Sequence, residues 1–296
     1  MSLRRCGKID YVIATADGGS TAAAARILNV SQPSVSLAIA KVEACLGRPL
    51  FARVSGQGVV PTAFGRQKLG EFRNLRMQAR QVLNADAAKP TALNLGVFST
   101  LGPRYAPSLV RGFQVEHPNT RIHLFEENLE TLSDWLETGQ IDVALTYEFG
   151  LPSDLNITPL ADVRPYGLLP AGHRLTARKA VSMAELLADD PLIVMNLPYS
   201  RGYFLTLAQM HGVNPRIAYE TGSVEMLRSM VANRLGVGLL ATDIPHDTAY
   251  DGQPVIRMTL EGDLAPHRIA LARPGKLRSS PIADEFCRYA AGFFTG

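Results

Sequence analysis

Two short helical patterns joined by a tight turn occupy residues 20–47, and they constrain the fold of the N-terminal part more than any other feature. The first pattern, residues 20–30, is rich in alanine, and Ser20 is placed to cap it. Ser31 is placed to cap the second, where Pro33 is tolerated in the first turn and apolar residues then recur at helical spacing. This arrangement predicts a helix-turn-helix.

The second helix of this pair leaves small polar side chains outside its apolar stripe. Gln can make a bidentate contact to adenine, Ser can bond a base edge or a phosphate, and Lys suits a phosphate as a point charge. A solvated helix face is the alternative interpretation. The residues of this helix that we expect to contact DNA are Ser31, Gln32, Pro33, Ser34, Ser36 and Lys41.

Charge is divided unevenly along the chain. Residues 1–90 carry 13 Lys and Arg against 5 Asp and Glu, whereas residues 91–296 carry 17 against 22. A basic segment binds polyanions such as nucleic acid by releasing counterions from the phosphates. An ordinary basic surface is the alternative, but next to a helix-turn-helix the imbalance favours DNA contact.

A hairpin and a long helix are predicted after the helix pair. Residues 50–53 and 59–62 flank a Ser-Gly-Gln-Gly stretch and predict a two-stranded wing. Arg53 at its base is placed for a backbone phosphate, with a surface ion pair as the alternative. Residues 63–88 predict one long helix whose apolar stripe requires a partner, so we expect it to dimerise and to set the spacing of two recognition helices.

Seven segments of the chain follow one another in a characteristic order: Val30–Ser36, Leu50–Arg53, Thr62 with Gly65, Leu93–Val97, Phe113–Pro118, Gly139–Leu145 and Gly236–Leu240. Together they closely resemble the LysR-type transcriptional regulators, and the resemblance extends over the whole chain. The positions that depart from the family pattern are Thr21, Ala22, Leu37 and Phe64. Leu37 replaces a residue that is often basic, which removes one expected phosphate or base contact.

The resemblance implies an α/β protein with three parts. They are a winged helix-turn-helix (residues 1–62), a linker and dimerisation helix (63–90), and a two-lobed effector-binding domain resembling periplasmic binding proteins (91–296). The expected lobes are lobe I, about 91–163 with 266–296, and lobe II, about 164–265. The implied partners are a double-stranded DNA operator, a small-molecule effector, further copies in a homodimer or homotetramer, and RNA polymerase.

The pattern of residues 91–296 independently predicts an α/β fold with parallel sheets, because short apolar runs alternate with helical segments. The apolar runs are Leu93–Val97, Arg121–Phe125, Asp142–Thr146, Leu192–Met195 and Val237–Ala241. Parallel sheets bind small molecules at the carboxyl ends of their strands, where helix N-termini offer free amide groups. The loops that follow these runs are therefore the expected ligand site.

Two of these loops, Phe98–Gly102 and Asn196–Gly202, are expected to face each other across a cleft. The resemblance implies that the matching loops line an inducer pocket. Tyr147 and Tyr199 would add an aromatic wall to it, and Arg201 would add a positive charge. The expected effector-binding residues are Ser99, Thr100, Asn128, Thr146, Tyr147, Pro198, Tyr199, Ser200, Arg201 and Ser223. Helix capping is the alternative for each Ser or Thr, and pairing with Glu148 or solvent is the alternative for Arg201. Hydroxyls and helix N-termini favour a small anionic effector.

The sequence lacks the arrangements typical of an enzyme. Its six histidines have no spacing for a metal pair, no cysteines have zinc-ligand spacing, and no Walker loop, dinucleotide-binding loop or nucleophile elbow occurs. We therefore expect no enzymatic activity, no metal and no cofactor. A binding protein of transport type is the alternative function, but it leaves the basic N-terminal part unexplained.

No stretch approaches the roughly 20 apolar residues that span a bilayer, and Tyr11–Ala14 is too short an apolar run for a signal peptide. We therefore expect a cytoplasmic protein without membrane contact. The three cysteines lie far apart, which fits reduced thiols, and Cys45 is expected to be buried in its helix.

Overall fold

The computed structural model describes residues 6–54, 58–83, 91–262, 264, 267–275 and 279–295. Within them, separate hydrophobic cores define three regions: an N-terminal helical region, called the head, and two regions built on β-sheets, called lobe I and lobe II. The turn of the predicted wing (residues 55–57) and the end of the predicted long helix (residues 84–88) lie outside the described residues.

The head contains the predicted helix pair and wing. Its elements, with the helix that leads out of it, are α1 (Cys6–Gly18), α2 (Thr21–Leu28), α3 (Gln32–Leu46), β1 (Phe51–Val54), β2 (Gly58–Pro61) and α4 (Ala63–Leu83). Both predicted caps are confirmed. Ser20 Oγ accepts a hydrogen bond from Ala23 N at 3.1 Å, and Ser31 Oγ accepts one from Ser34 N at 3.4 Å. β1 and β2 pair antiparallel, as predicted for the wing.

Close packing at one glycine joins the wing to α4. A Cβ atom at Gly65 would lie 1.9 Å from the carbonyl oxygen of Leu50, so only glycine allows α4 to start this near to β1. Leu50 and Leu69 are both buried in the core of the head. The prediction that Cys45 is buried is wrong. The buried residues of α3 all lie in its first half, and Cys45 is next to its C-terminal end.

The rest of the described chain alternates strands and helices. These elements are β3 (Thr91–Phe98), α5 (Gly102–Glu116), β4 (Thr120–Glu127), α6 (Leu129–Glu137), β5 (Val143–Tyr147), β6 (Leu155–Val163), β7 (Tyr166–Pro170), β8 (Ala180–Val181), α7 (Met183–Leu187), β9 (Leu192–Met195), α8 (Ser200–Met210), β10 (Ile217–Thr221), α9 (Val224–Ala232), β11 (Val237–Leu240), β12 (Val255–Leu260), β13 (His267–Pro274) and α10 (Pro281–Thr295). No helix within the described ranges combines the length and the apolar character that crossing a bilayer requires.

Lobe I has a five-stranded sheet in the order β4-β3-β5-β13-β6, and lobe II has a six-stranded sheet in the order β10-β9-β11-β7-β12-β8. The expectation of parallel sheets is wrong in part, because both sheets are mixed. β13 runs antiparallel to β5 and β6, and β7 runs antiparallel to β11 and β12. The chain crosses into lobe II after β6 and returns to lobe I at β13. The first strand after each crossing, β7 in lobe II and β13 in lobe I, is therefore antiparallel to its neighbours, whereas strands joined by helical crossovers are parallel.

The linker helix contacts both the head and lobe I through one buried side chain. Arg73 of α4 is 8% exposed, and its Nη1 donates a hydrogen bond of 2.7 Å to the carbonyl oxygen of Thr138, directly after α6. Its Nη2 donates to Asp17 of α1, with which it forms an ion pair. One guanidinium therefore connects three elements.

Candidate DNA-binding and effector-binding sites

The outer face of α3 presents the residues that the sequence predicts as DNA contacts. All six of them on this helix are exposed: Ser31, Gln32, Pro33, Ser34, Ser36 and Lys41. Arg53 is exposed as well, in the middle of β1, where it pairs with Val59 of β2. The face and the wing strand thus offer hydroxyl, amide and cationic groups to solvent.

Three of these polar groups, on Ser31, Gln32 and Ser34, already have local partners. Ser31 Oγ lies 2.8 Å from Ser34 Oγ in addition to capping the helix. Gln32 Nε2 donates to Thr21 Oγ1 at 3.1 Å, so Thr21, one of the departures from the family pattern, holds the glutamine. An amide held in this way loses less conformational entropy when it meets a base edge.

The cations of this surface are available for phosphate contact. Neither Lys41 nor Arg53 forms an ion pair with a described residue. The described residues therefore do not support the alternative that Arg53 forms a surface ion pair. Leu37 is 57% exposed on α3 and is not among the predicted contacts.

A cavity of about 460 Å³ lies between the two lobes, and we call it the polar cavity. Its walls come from the carboxyl ends of β3 and β4 in lobe I and of β10 and β11 in lobe II, together with the helices that follow. This volume is in the range of small-molecule sites. Of the predicted effector residues, it is lined by Ser99, Thr100 and Ser223.

Neither Ser99 nor Thr100 caps the following helix. The N-cap position of α5 is Leu101, which offers no side-chain hydrogen bond. Ser99 Oγ is buried and has no hydrogen-bond partner among the described atoms. The capping alternative therefore does not account for this hydroxyl. Ser223, by contrast, does cap α9, since its Oγ accepts a hydrogen bond from Met226 N at 3.1 Å.

Charged side chains that sequence reasoning missed also line the polar cavity: Arg104, Glu126, Glu225 and Arg228. Arg228 is only 4% exposed, and its Nη2 donates to the carbonyl oxygens of His246 at 2.7 Å and Thr248 at 3.0 Å. No described carboxylate lies within ion-pair distance of it. Helical spacing in α9 indicates that position 228 is on the inner face, but only the packing of the lobes places it at a cavity.

The loop after β11 ties the two lobes together beside this cavity. Arg104 of lobe I donates from Nε to the carbonyl oxygen of Asp243 at 2.9 Å, and Arg257 of lobe II donates to Asp243 Oδ1 at 2.7 Å. The hydrogen bond from Arg257 keeps the pKa of Asp243 below its usual value. Asp243 thus bridges arginines from both lobes.

A second, much smaller cavity of about 10 Å³ lies nearby, and we call it the aromatic cavity. Its volume is close to the minimum for one water molecule. It is lined by Phe98, Leu129, Thr146, Tyr147, Phe149, Pro198, Tyr199, Ser200 and His267. Phe98 of the first expected loop thus meets the second loop at the aromatic cavity, whereas Ser99 and Thr100 of the same loop line the polar cavity. The sequence could not show this division because it depends on how the two lobes pack.

Two buried polar atoms at the aromatic cavity lack partners. They are Thr146 Oγ1, in a residue that is 1% exposed, and His267 Nδ1, in a residue that is 7% exposed. Tyr199 adopts φ +67° there, in the left-handed region that non-glycine residues avoid. Backbone strain of this kind is concentrated at ligand sites.

One hydrogen bond connects the two cavities. The Tyr147 hydroxyl lies 3.0 Å from Thr242 Oγ1, and Thr242 lines the polar cavity. Burial raises the pKa of Tyr147 to about 12, so the hydroxyl keeps its proton at neutral pH.

Two predicted effector residues line neither cavity. Asn128 caps α6, since its Oδ1 accepts a hydrogen bond from Thr131 N at 3.0 Å. Arg201 bonds Glu220 at 3.0 Å, whereas Glu148, its expected alternative partner, pairs with Arg268. Within the part of the chain that the structure describes, no group of three His, Cys, Asp or Glu residues is placed to hold a metal ion.

Two family models match the chain. Residues 7–66 match the model described as bacterial regulatory helix-turn-helix protein, lysR family, and residues 88–294 match the one described as LysR substrate binding domain. Among curated relatives, the small neutral protease regulatory protein of Streptomyces coelicolor is 30% identical over 230 residues, which cover 74% of this chain and 68% of that protein.

Solved structures show the same architecture. HinK, a LysR family transcriptional regulator from Pseudomonas aeruginosa, is 29% identical, with 97% of each chain covered and a TM-score of 0.67. The effector-binding domain of QuiR in complex with shikimate is 17% identical and shares the fold over 70% of this chain and 98% of that chain, with a TM-score of 0.62.

Proposed function

The chain belongs to the LysR-type transcriptional regulators, and from that premise we propose that a small anionic effector, bound between lobe I and lobe II, modulates its binding to a specific DNA operator. The match of residues 7–66 to a helix-turn-helix family disfavours a transport-type binding protein, because transport does not require a DNA-binding domain. We further propose that the chain has no catalytic activity, since the family consists of regulators.

The observation that carries the effector proposal is the group of unsatisfied polar atoms where the lobes meet. Ser99 Oγ, Thr146 Oγ1 and His267 Nδ1 are buried there without hydrogen-bond partners among the described residues. Buried polar groups in proteins are nearly always hydrogen-bonded, and each one left unpaired costs about 1–3 kcal/mol. A ligand in the polar cavity that supplies a partner for Ser99 Oγ recovers this free energy there, whereas Thr146 and His267 line the aromatic cavity, which has room for about one water molecule.

The preference for an anion is supported by the positive groups around the polar cavity. Arg228 presents a buried guanidinium without a carboxylate partner among the described residues. A guanidinium binds carboxylate and phosphate groups through its planar set of donors. The complex of the QuiR domain with shikimate supports a small-molecule ligand for this fold.

On DNA, we propose that α3 lies in the major groove. In this arrangement Gln32, fixed by Thr21, reads a base edge, while Lys41 and Arg53 neutralise phosphates. Leu37, 57% exposed, contacts the methyl group of a thymine in place of the phosphate contact that a basic residue would make.

The assembly and location follow from the same premise. We propose that α4 pairs with its copy in a homodimer, that two dimers form a homotetramer on an interrupted operator, and that RNA polymerase is contacted from there. The cytoplasm is the proposed compartment, because the operator is there. Effector binding shifts the equilibrium between two arrangements of the dimers, which requires that it bind one arrangement more tightly.

Selection of DNA fragments from a random pool by the full-length protein tests operator recognition. We expect enrichment of an interrupted inverted repeat. The Gln32→Ala variant should bind this repeat about 10- to 100-fold more weakly, since a bidentate base contact contributes about 1–3 kcal/mol. Its salt dependence should stay unchanged, because the phosphate contacts remain.

The control for this test is Gln209→Ala, an exposed glutamine of lobe II, which should bind as the wild type does. Uniform, salt-sensitive binding to all fragments, equal in wild type and Gln32→Ala, would show that the head is only a polyanion-binding surface. The proposal of a specific operator would then be withdrawn.

A further inference from the structure

The polar cavity contains opposite charges on opposite lobes. Arg228 belongs to α9 of lobe II, and Glu126 belongs to β4 of lobe I. The Glu126 carboxylate forms no hydrogen bond and no ion pair with any described residue, although it lines the cavity. An exposed carboxylate facing a ligand cavity is available to a cationic group of that ligand.

The other charges that line this cavity already have partners. Arg104 bonds Asp243, and the Glu225 carboxylate accepts a hydrogen bond of 3.1 Å from Ser223 Oγ. Glu126 and Arg228 are therefore the two charged groups of the polar cavity that lack a charged or hydroxyl partner. One is negative and the other is positive, so the cavity is complementary to a ligand that carries both signs of charge.

The Glu126 carboxylate lies beside the start of α5. Its Oε2 lies so close to the start of α5 that a Cβ atom at Gly102 would be 2.9 Å from it. The glycine thus leaves room for this carboxylate at the mouth of the cavity.

Building on the proposed function, we propose that the effector is a zwitterion of the amino-acid type, whose ammonium group binds Glu126 of lobe I and whose carboxylate binds Arg228 of lobe II. A ligand of this kind contacts both lobes at once, so its affinity depends on the distance between them. An acid without an amino group contacts only Arg228 and therefore shifts the equilibrium between open and closed lobes less.

Titration calorimetry on the full-length protein tests the charge requirement. The probes are the twenty standard amino acids, each compared with the carboxylic acid that lacks its amino group and the amine that lacks its carboxylate. We expect at least one amino acid to bind at least tenfold more tightly than both of its truncated counterparts.

Variants then test the two residues. Glu126→Gln should weaken binding of that amino acid at least tenfold and change binding of its amine-free acid less than twofold. Arg228→Lys, which keeps the charge in the buried position, should weaken the binding of both the amino acid and its amine-free acid, because an ammonium group cannot replace the planar guanidinium. Glu130→Gln, an exposed carboxylate of α6 outside the cavity, is the matched control and should bind as the wild type does.

Three results would overturn the zwitterion proposal. The first is that amine-free acids bind as tightly as the amino acids, and the second is that no amino acid binds. The third is that Glu126→Gln binds anions more tightly than the wild type, which would show that an incoming anion displaces this carboxylate. Measuring operator binding in the presence of each probe distinguishes failure of the zwitterion proposal from failure of the proposed function. If an amine-free acid changes operator binding, the regulator proposal stands and only the zwitterion fails; if no probe of any series changes it, both fail.

Discussion

At the scale of the single residue, His267 shows how the junction of the lobes changes the chemistry of a side chain. Its ring centroid lies 4.0 Å from that of Tyr147 and 4.2 Å from that of Tyr203. Loss of contact with water lowers the pKa of His267 to about 4, against 6.5 for an ordinary histidine. The imidazole is therefore neutral at physiological pH.

We predict that this histidine makes the protein less stable in acid. Between pH 6.5 and 4 the unfolded chain binds a proton at this position and the folded chain does not, so the free energy of unfolding falls as the pH falls. The His267→Phe variant should lack this loss, which amounts to about 2 kcal/mol at pH 5. Urea unfolding at pH 7.5 and pH 5 measures it.

The control for this measurement is His123→Phe, the same substitution at an exposed histidine of β4. An equal loss of stability between the two pH values in wild type and His267→Phe would contradict the prediction.

Residues whose role is local could be predicted from the sequence, and residues whose role depends on two lobes could not. Ser31 caps the helix that directly follows it, so the pattern of neighbouring residues is sufficient. Arg104, Glu126 and Arg228 meet at one cavity from distant parts of the chain. Nothing in their immediate surroundings distinguishes them from ordinary surface charges.

At the scale of the element, α4 is both the end of the head and the contact to lobe I. Burial lowers the pKa of Arg73, while Asp17 beside it acts in the opposite direction. An arginine in water would satisfy its donors with solvent, but here they bond Asp17 and the Thr138 carbonyl. The orientation of the head relative to lobe I therefore depends on a charged group with little access to water.

We predict that Arg73→Met lowers the free energy of unfolding by about 2 kcal/mol, because it leaves the Thr138 carbonyl and Asp17 without their donor. Arg76→Met is the control on the same helix. Arg76 is partly exposed and lies 3.5 Å from Asp10, so its loss should cost less than about 1 kcal/mol. Chemical denaturation of the two variants distinguishes these values; equal effects would contradict a special role for Arg73.

Elements with a strong local pattern can be predicted from the sequence, and elements that rely on distant partners cannot. The apolar run Leu192–Met195 coincides with β9, whose four residues are all buried. β13 has a comparable apolar centre, but its pairing places Ile269 opposite Tyr147, more than one hundred residues earlier. Sequence periodicity contains no information on such pairings. It therefore does not predict that β7 and β13, the first strands after each crossing between the lobes, run antiparallel to their neighbours.

At the scale of the whole molecule, Asp243 forms a charged connection between the lobes. It bonds Arg104 of lobe I through its backbone and Arg257 of lobe II through its carboxylate, beside the cavity that we assign to the effector. The Arg104 Nη2 atom is 3.6 Å from the same carboxylate. The charge on Asp243 therefore favours one relative position of the lobes.

We predict that Asp243→Asn widens the distribution of distances between the lobes, since the amide attracts both arginines less than the carboxylate does. Spin labels at Glu116 and Gln209, exposed positions on α5 and α8, report this distance after the native cysteines are replaced. Asp251→Asn is the matched control, because Asp251 bonds Asn233 within lobe II only. Identical distance distributions for all three proteins would refute this role of Asp243.

The central position of β13 in the sheet of lobe I has a consequence for the synthesis of the protein. The core of the head uses residues that leave the ribosome early, whereas the sheet of lobe I has a gap between β5 and β6 until residues 267–274 have been translated. At elongation rates of about 5–20 residues per second this interval lasts on the order of ten seconds. A premature stop codon in that interval would therefore release a chain in which the core of the head is complete but the sheet of lobe I lacks the strand between β5 and β6.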